Sequence, residues 1–244
     1  MPDFDDNRGM LAHHMKRLRH SRIAIAAALL LGLPLLALAH GVSGKDAGFL
    51  AGVHGMAIGP FAYLGAKHMV TGYDHLAFLA GVIFLLYRLR DVALYASLFA
   101  LGHSTTLLGA VLAGWRADAH IVDAIIGLSV VYKGFENIGG FKAIGWKLDP
   151  RAAVLGFGLV HGLGLATKLQ ALQLSREGLA ANLVAFNVGV ELGQLAALSV
   201  MVLLFALWRT TRNFGKAVLP ANTLLMAAGF ILFGYQLAGY VAAR

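Results

Sequence analysis

Residues 179–208 read LAANLVAFNVGVELGQLAALSVMVLLFALW, a run of 30 residues with a single formal charge, at Glu191. A helix rises ~1.5 Å per residue, so about 20 residues cross the ~30 Å hydrocarbon core of a bilayer. This run is long enough to cross with tilt or to extend beyond the bilayer. Lipid cannot satisfy open backbone N–H and C=O groups, so the run is a helix rather than a strand. Asn187, Glu191 and Gln194 lie at i, i+4 and i+7 within it, on one face, with Gly189 and Gly193 alongside. Such a stripe in an otherwise apolar helix is expected to face the interior of a bundle.

The rest of the chain repeats the theme. Of its 244 residues 59% are hydrophobic and 13% charged, against ~45–50% and ~25% in soluble domains. That balance excludes an ordinary soluble enzyme, a disordered chain and a coiled coil. The fold class is therefore all-α, a polytopic membrane helix bundle. Spans are expected at about 72–88, 92–114, 119–138, 152–171, 179–208 and 218–241. Arg88, Arg90, Lys133, Lys142, Lys147, Arg151, Arg209, Arg212 and Lys216 fall in or beside alternate loops. By the positive-inside rule those loops are cytoplasmic, and both ends of the mature chain face outward. The formal charge of +8 is thus a topology signal and not a nucleic-acid one. The absence of cysteine excludes disulfides, zinc–thiolate sites, iron–sulfur clusters and cysteine nucleophiles.

Residues 1–39 read as a signal peptide or signal anchor: a basic stretch from Lys16 to Arg22, an apolar stretch from Ile23 to Leu36, and the small-x-small site Ala37-Leu38-Ala39. Cleavage there makes His40 the new N-terminus, whose amine and imidazole together could chelate a metal. Residues 40–71 read as an outer, periplasmic segment. The uncharged stretch 47–66, rich in glycine and holding Pro60 and His54, is expected to be re-entrant and packed on the bundle. Residues 72–244 make the six-helix transmembrane domain.

An ionisable side chain inside a span costs ~2.5–3.5 kcal/mol on insertion scales, so each is a functional candidate. His68 and His75 are seven apart, with Asp74 one step off their face. They make a plausible metal entrance, with Asp74 as a ligand or as the group that orients His75. His103 stands in the middle of the second span beside Ser104. The third span carries Asp123, Ser129, Tyr132, Lys133, Glu136 and Asn137, with Lys133 snorkelling or pairing with Glu136. His161 stands among four glycines in the fourth. The candidate metal ligands are His68, Asp74, His75, His103, His161 and Glu191. Ser104, Asp123, Ser129, Glu136, Asn137, Asn187 and Gln194 are candidates for the pathway. Imidazole with a few carboxylates suits nickel, copper, zinc or iron, and without Cys or a Met cluster copper(I) is disfavoured. There is neither a GxSxG elbow nor a nucleotide-binding motif.

These elements, in order, resemble the HupE/UreJ family: His68-x5-Asp74-His75-Leu, Gly102-His103-Ser104, the helix with Asp123, Ser129, Glu136 and Asn137, His161-Gly-Leu-Gly, and Phe186-Asn187-x-Gly-x-Glu191-Leu-Gly-Gln194. The match runs from about Gly65 to Trp208. The resemblance implies a divalent-metal permease of the bacterial inner membrane, not an enzyme, supplying nickel (or cobalt) for hydrogenase or urease maturation. It implies Ni2+ (or Co2+) as cargo rather than a resident cofactor. The expected partners are the metal ion, the lipid bilayer and a second copy of the chain or maturation proteins, with no nucleic acid. On this reading the ion is captured at Asp74 and His75 and passes His103, His161 and Glu191, while Asn187 and Gln194 replace its hydration water or hold the ligands. Three rivals stay open: a metal-binding accessory or sensor protein that does not transport, a haem or quinone electron carrier, and an intramembrane hydrolase using Ser104 or Ser129.

Overall fold

The computed structural model describes residues 55–171 and 175–244, all within the unit His40–Arg244. The expected leader and His40 lie outside them. Regular structure among the described residues is entirely helical. The helices are α1 (Ile58–Thr71), α2 (Tyr73–Ile83), α3 (Leu89–Ala113), α4 (Ala119–Asn137), the single turn α5 (Gly140–Ala143), α6 (Pro150–Ala171), α7 (Leu179–Arg209) and α8 (Phe214–Ala242). Four of them, α3, α6, α7 and α8, are long and apolar enough to cross a membrane. Leu192, Leu195, Leu203 and Leu207 on α7, with Phe230, Ile231 and Tyr235 on α8, are exposed. Exposed large apolar side chains of that kind are expected where lipid is the solvent.

The ends of these helices are written locally. Asp118 caps α4 by accepting from the Ile121 backbone N–H at 3.1 Å. Gly114 ends α3 with φ +71°, a conformation glycine adopts without steric cost.

The helices pair along seams of small residues. α3 runs parallel to α6, where a Cβ on Gly158 would lie 2.5 Å from the Phe99 carbonyl oxygen. α4 runs antiparallel to α8, where a Cβ on Gly127 would lie 2.8 Å from the Phe233 nitrogen. α1 lies along α7, where a Cβ on Gly193 would lie 2.7 Å from the Ala66 carbonyl oxygen. In lipid, helix association relies on close van der Waals packing, and glycine permits backbone to meet backbone.

The first span differs from its expected form. In place of one helix over 72–88 there is an 11-residue helix, α2, preceded by the 14-residue α1. Gly72 separates them in an extended conformation, φ −77° and ψ 91°. Both pieces follow α7 in one direction. Asn182 donates to the Gly55 carbonyl at 2.9 Å and accepts from the Ala57 N–H at 2.7 Å. Further along, the Phe84 ring meets Phe205 and Trp208 at 5.5 and 5.7 Å. The Arg209 guanidinium donates to the carbonyls of Ile83, Phe84 and Leu86 at 2.6–2.8 Å. Residues 55–86 thus accompany α7 over its whole length.

Candidate metal centre

The break between α1 and α2 positions the centre. A Cβ at residue 72 would stand 3.1 Å from His75 Nδ1 and 3.2 Å from Asp74 Oδ1, so glycine leaves room for both side chains. Around the His75 ring stand His161 of α6, His68 of α1 and His103 of α3, at centroid distances of 4.7, 5.1 and 5.7 Å. Four imidazoles from four helices therefore form one cluster. Phe78 and Phe99 wall it, with centroids 5.4 and 5.1 Å from the His161 ring. His75 is 2% exposed, and His103 and His161 are fully buried.

Hydrogen bonds assign the tautomers. Asp74 Oδ1 lies 3.0 Å from His75 Nδ1 and also accepts from the His75 backbone N–H at 2.9 Å. The carboxylate accepts the Nδ1 proton, which leaves His75 Nε2 with its lone pair. Asp74 thus takes the orienting role rather than that of a direct ligand. The Ser129 hydroxyl donates to the Ile126 carbonyl at 2.6 Å. Its oxygen is then the acceptor for His161 Nε2, 3.3 Å away, and His161 Nδ1 keeps the lone pair. His75 Nε2, His161 Nδ1 and both ring nitrogens of His103 are buried without a hydrogen-bond partner. A buried polar atom left unpaired costs about 1–3 kcal/mol, and several in one cluster call for a ligand.

The arrangement is a set of donors rather than a finished cage. Among the described residues no three His, Asp or Glu side chains converge to hold an ion. Around His75 the rings meet edge to face. Ser129 spends its proton on a backbone carbonyl and is fully buried, a poor disposition for a nucleophile.

The remaining candidates fall elsewhere. Asn187 donates to Ser104 Oγ at 2.8 Å and Gln194 to the Ala96 carbonyl at 3.0 Å, tying α7 to α3. Their side-chain oxygens are buried and unpaired. Glu191 departs from the expected inward stripe, because the residue is exposed. It sits about 40° round the helix from Asn187, and the seating of Gly189 and Gly193 on α1 turns that edge of α7 outward. Asp123 pairs with Lys168 at 2.9 Å and accepts from Gln236 at 3.4 Å. Glu136 pairs with Lys133, which is buried and does not snorkel. Asn137 donates to Gly81 O and Asn222 Oδ1, both at 2.8 Å. The sequence reading missed Lys168, Asn182, Asn222 and Gln236 as organising residues. Asn222 and Gln236, polar side chains within the apolar run of α8, were the signal available for two of them.

No curated protein and no solved structure matches the chain. A family model described as HupE / UreJ protein matches residues 45–244. That stretch holds every described helix and all four clustered histidines, and the chain accordingly belongs to the HupE/UreJ family.

Proposed function

We propose that the chain carries a divalent transition-metal ion, nickel or cobalt, across the bacterial inner membrane. The observation behind this reading is the cluster of buried, unpaired imidazole nitrogens contributed by α2, α3 and α6. Imidazole suits nickel and cobalt far better than magnesium or calcium. An unfinished cage also suits passage, since a permeating ion must leave as readily as it enters. His75, His103 and His161 are the ligands in this reading, His68 completes the cluster, and Asp74 and Ser129 hold two of the rings. Asn187 and Gln194 present neutral oxygens along the α3–α7 seam. The supply of hydrogenase or urease maturation is the use that family membership suggests.

The crossing count follows from the same reading. α1 and α2 form one crossing broken at Gly72, and α3, α4, α6, α7 and α8 supply five more. A break of this kind is tolerated where it is buried in protein and lines a site. The membrane potential could drive uptake: a divalent ion gains about 4.6 kcal/mol per 100 mV, twice the ~2.3 kcal/mol of a single charge.

The test is radioactive nickel uptake in cells stripped of their own nickel transporters, at matched membrane levels. Wild type should accumulate nickel. His75→Ala should lose that accumulation, and Glu191→Ala should keep most of it, because Glu191 stands outside the ring cluster. Undiminished uptake by His75→Ala would sink the assignment. Nickel binding without uptake by wild type would point instead to the accessory or sensor role.

A further inference from the structure

Glu191 is the polar group that the histidine cluster leaves over. It is the single formal charge in the apolar run of α7, and it is exposed. Every other exposed Asp, Glu, Lys or Arg in the described helices lies within one turn of a helix end. Its neighbours fix its depth. Asn187 bonds Ser104 and Gln194 bonds the Ala96 carbonyl, on either side of Leu101, the midpoint of α3. Glu191 therefore stands level with the middle of a 25-residue spanning helix. An ionisable side chain at that depth normally faces the protein interior and pairs there. Among the described residues Glu191 makes neither an ion pair nor a hydrogen bond. Ser97 shares its situation. It is seven residues before Ser104, so the two share a face of α3, yet Ser97 is exposed and its hydroxyl makes no hydrogen bond among the described residues. By contrast, the exposed Thr105 and Ser199 donate to carbonyls of their own helices, at 2.6 and 2.7 Å. Ser97 adjoins Ala96, the level of Gln194, and so lies within about one turn of Glu191 in depth. A free donor and a free acceptor thus stand at one depth on the outer edge of the α3–α7 seam. Exposed Leu101, Val188 and Leu195 flank them one turn away on the same helices.

We infer that the outer edge of the α3–α7 seam is a contact between two copies of this chain, in which the Ser97 hydroxyl of each donates to the partner's Glu191 carboxyl. Lipid tails offer neither group a partner. Symmetry supplies one. Two copies inserted in the same direction are related by a two-fold axis along the membrane normal, and such an axis preserves depth. It brings residue i against residue j and j against i, so a donor and an acceptor at one depth on one face complete each other. A face of carboxyls alone or of hydroxyls already spent lacks that self-complementarity. Leu101, Val188 and Leu195 then pack around the two bonds. The metal reading is independent of this contact, since neither Ser97 nor Glu191 belongs to the ring cluster.

The cysteine-free sequence permits single-cysteine cross-linking of the full chain in membranes. Leu101→Cys, Val188→Cys and Leu195→Cys are oxidised with copper phenanthroline. At least one should give a disulfide-linked dimer, which needs Cβ atoms ~3.5–4.5 Å apart. Ile231→Cys on α8, 68% exposed, should give none. No dimer from the three, or an equal yield from Ile231→Cys, overturns the contact. The purified chain alone is then reconstituted in phosphatidylcholine vesicles, and self-association is followed by energy transfer between fluorescently labelled copies. Glu191→Leu should weaken the dimer at least tenfold and Ser97→Ala several-fold. Glu191→Gln keeps an acceptor and should stay near wild type. A monomeric wild type overturns the inference and leaves lipid or another protein as the occupant of this face. A Glu191→Leu or Ser97→Ala dimer of wild-type affinity overturns the pairing, as does a Glu191→Gln dimer as weak as that of Glu191→Leu. The melting temperature of each variant in detergent should match wild type. Where Glu191→Leu fails to fold, Ser97→Ala decides by itself.

Discussion

At the scale of single residues, the centre is a problem in proton placement. His75 offers Nε2 because Asp74 accepts at Nδ1, and His161 offers Nδ1 because Ser129 accepts at Nε2. Asp74→Asn should keep the ring in place but weaken its orientation and basicity. Nickel affinity of the purified protein, measured by calorimetry, should fall about 10–100-fold, the usual cost of losing a group that orients a metal-bound histidine. Ser129→Ala should cost less, since His161 remains walled by Phe78 and Phe99. An Asp74→Asn variant with wild-type affinity would show that the carboxylate does not set the tautomer. The sequence already put His68, Asp74 and His75 together by spacing. It could not show that His103 and His161 join them, because that contact is made between helices.

The elements depend on seams of close backbone contact. Gly193 faces the Ala66 carbonyl and the Met69 side chain, directly beside His68. Gly193→Leu should therefore push α1 off α7 and disturb the cluster through α1. The expectation is a lowered melting temperature in detergent together with weaker nickel binding. Gly109→Leu, where an added Cβ meets nothing within 4 Å, should leave both unchanged. Equal melting temperatures for the two variants would mean that the α1–α7 seam is not under packing constraint. Glycine-rich stretches were legible in the sequence as sites of close approach, but which helix approached was not.

For the whole molecule, the question is how many times the chain crosses. The absence of native cysteine makes single-cysteine labelling free of background. Met56, Leu89 and Trp115 are 75%, 71% and 68% exposed and lie before α1, at the start of α3 and after α3. If α1 and α2 together make one crossing, a membrane-impermeant maleimide should label Met56→Cys and Trp115→Cys in cells with a permeabilised outer membrane. Leu89→Cys should react only after the inner membrane is opened. Labelling of Met56→Cys and Leu89→Cys from the same side would mean that α1 and α2 fold back as a hairpin. The basic residues of alternate loops carried the expected direction, because positive charge resists translocation. They were silent about 58–71, where the only formal charge is Lys67.

Composition and run length determined that the chain is a bundle of apolar helices, and spacing selected the polar residues worth attention. Those properties are local: a segment too apolar for water and too long for a loop has few other states. The tertiary structure alone decided which polar residues meet. A helix that is apolar on every side lacks the contrast that marks an inward face, so Asn187, Glu191 and Gln194 read alike in the sequence. Packing separated them. Glycines 189 and 193 seat α7 on α1, which turns Asn187 and Gln194 toward α3 and leaves Glu191 exposed. The same packing draws the α1–α2 break against α3 and α6 and so gathers four histidines from positions 68 to 161.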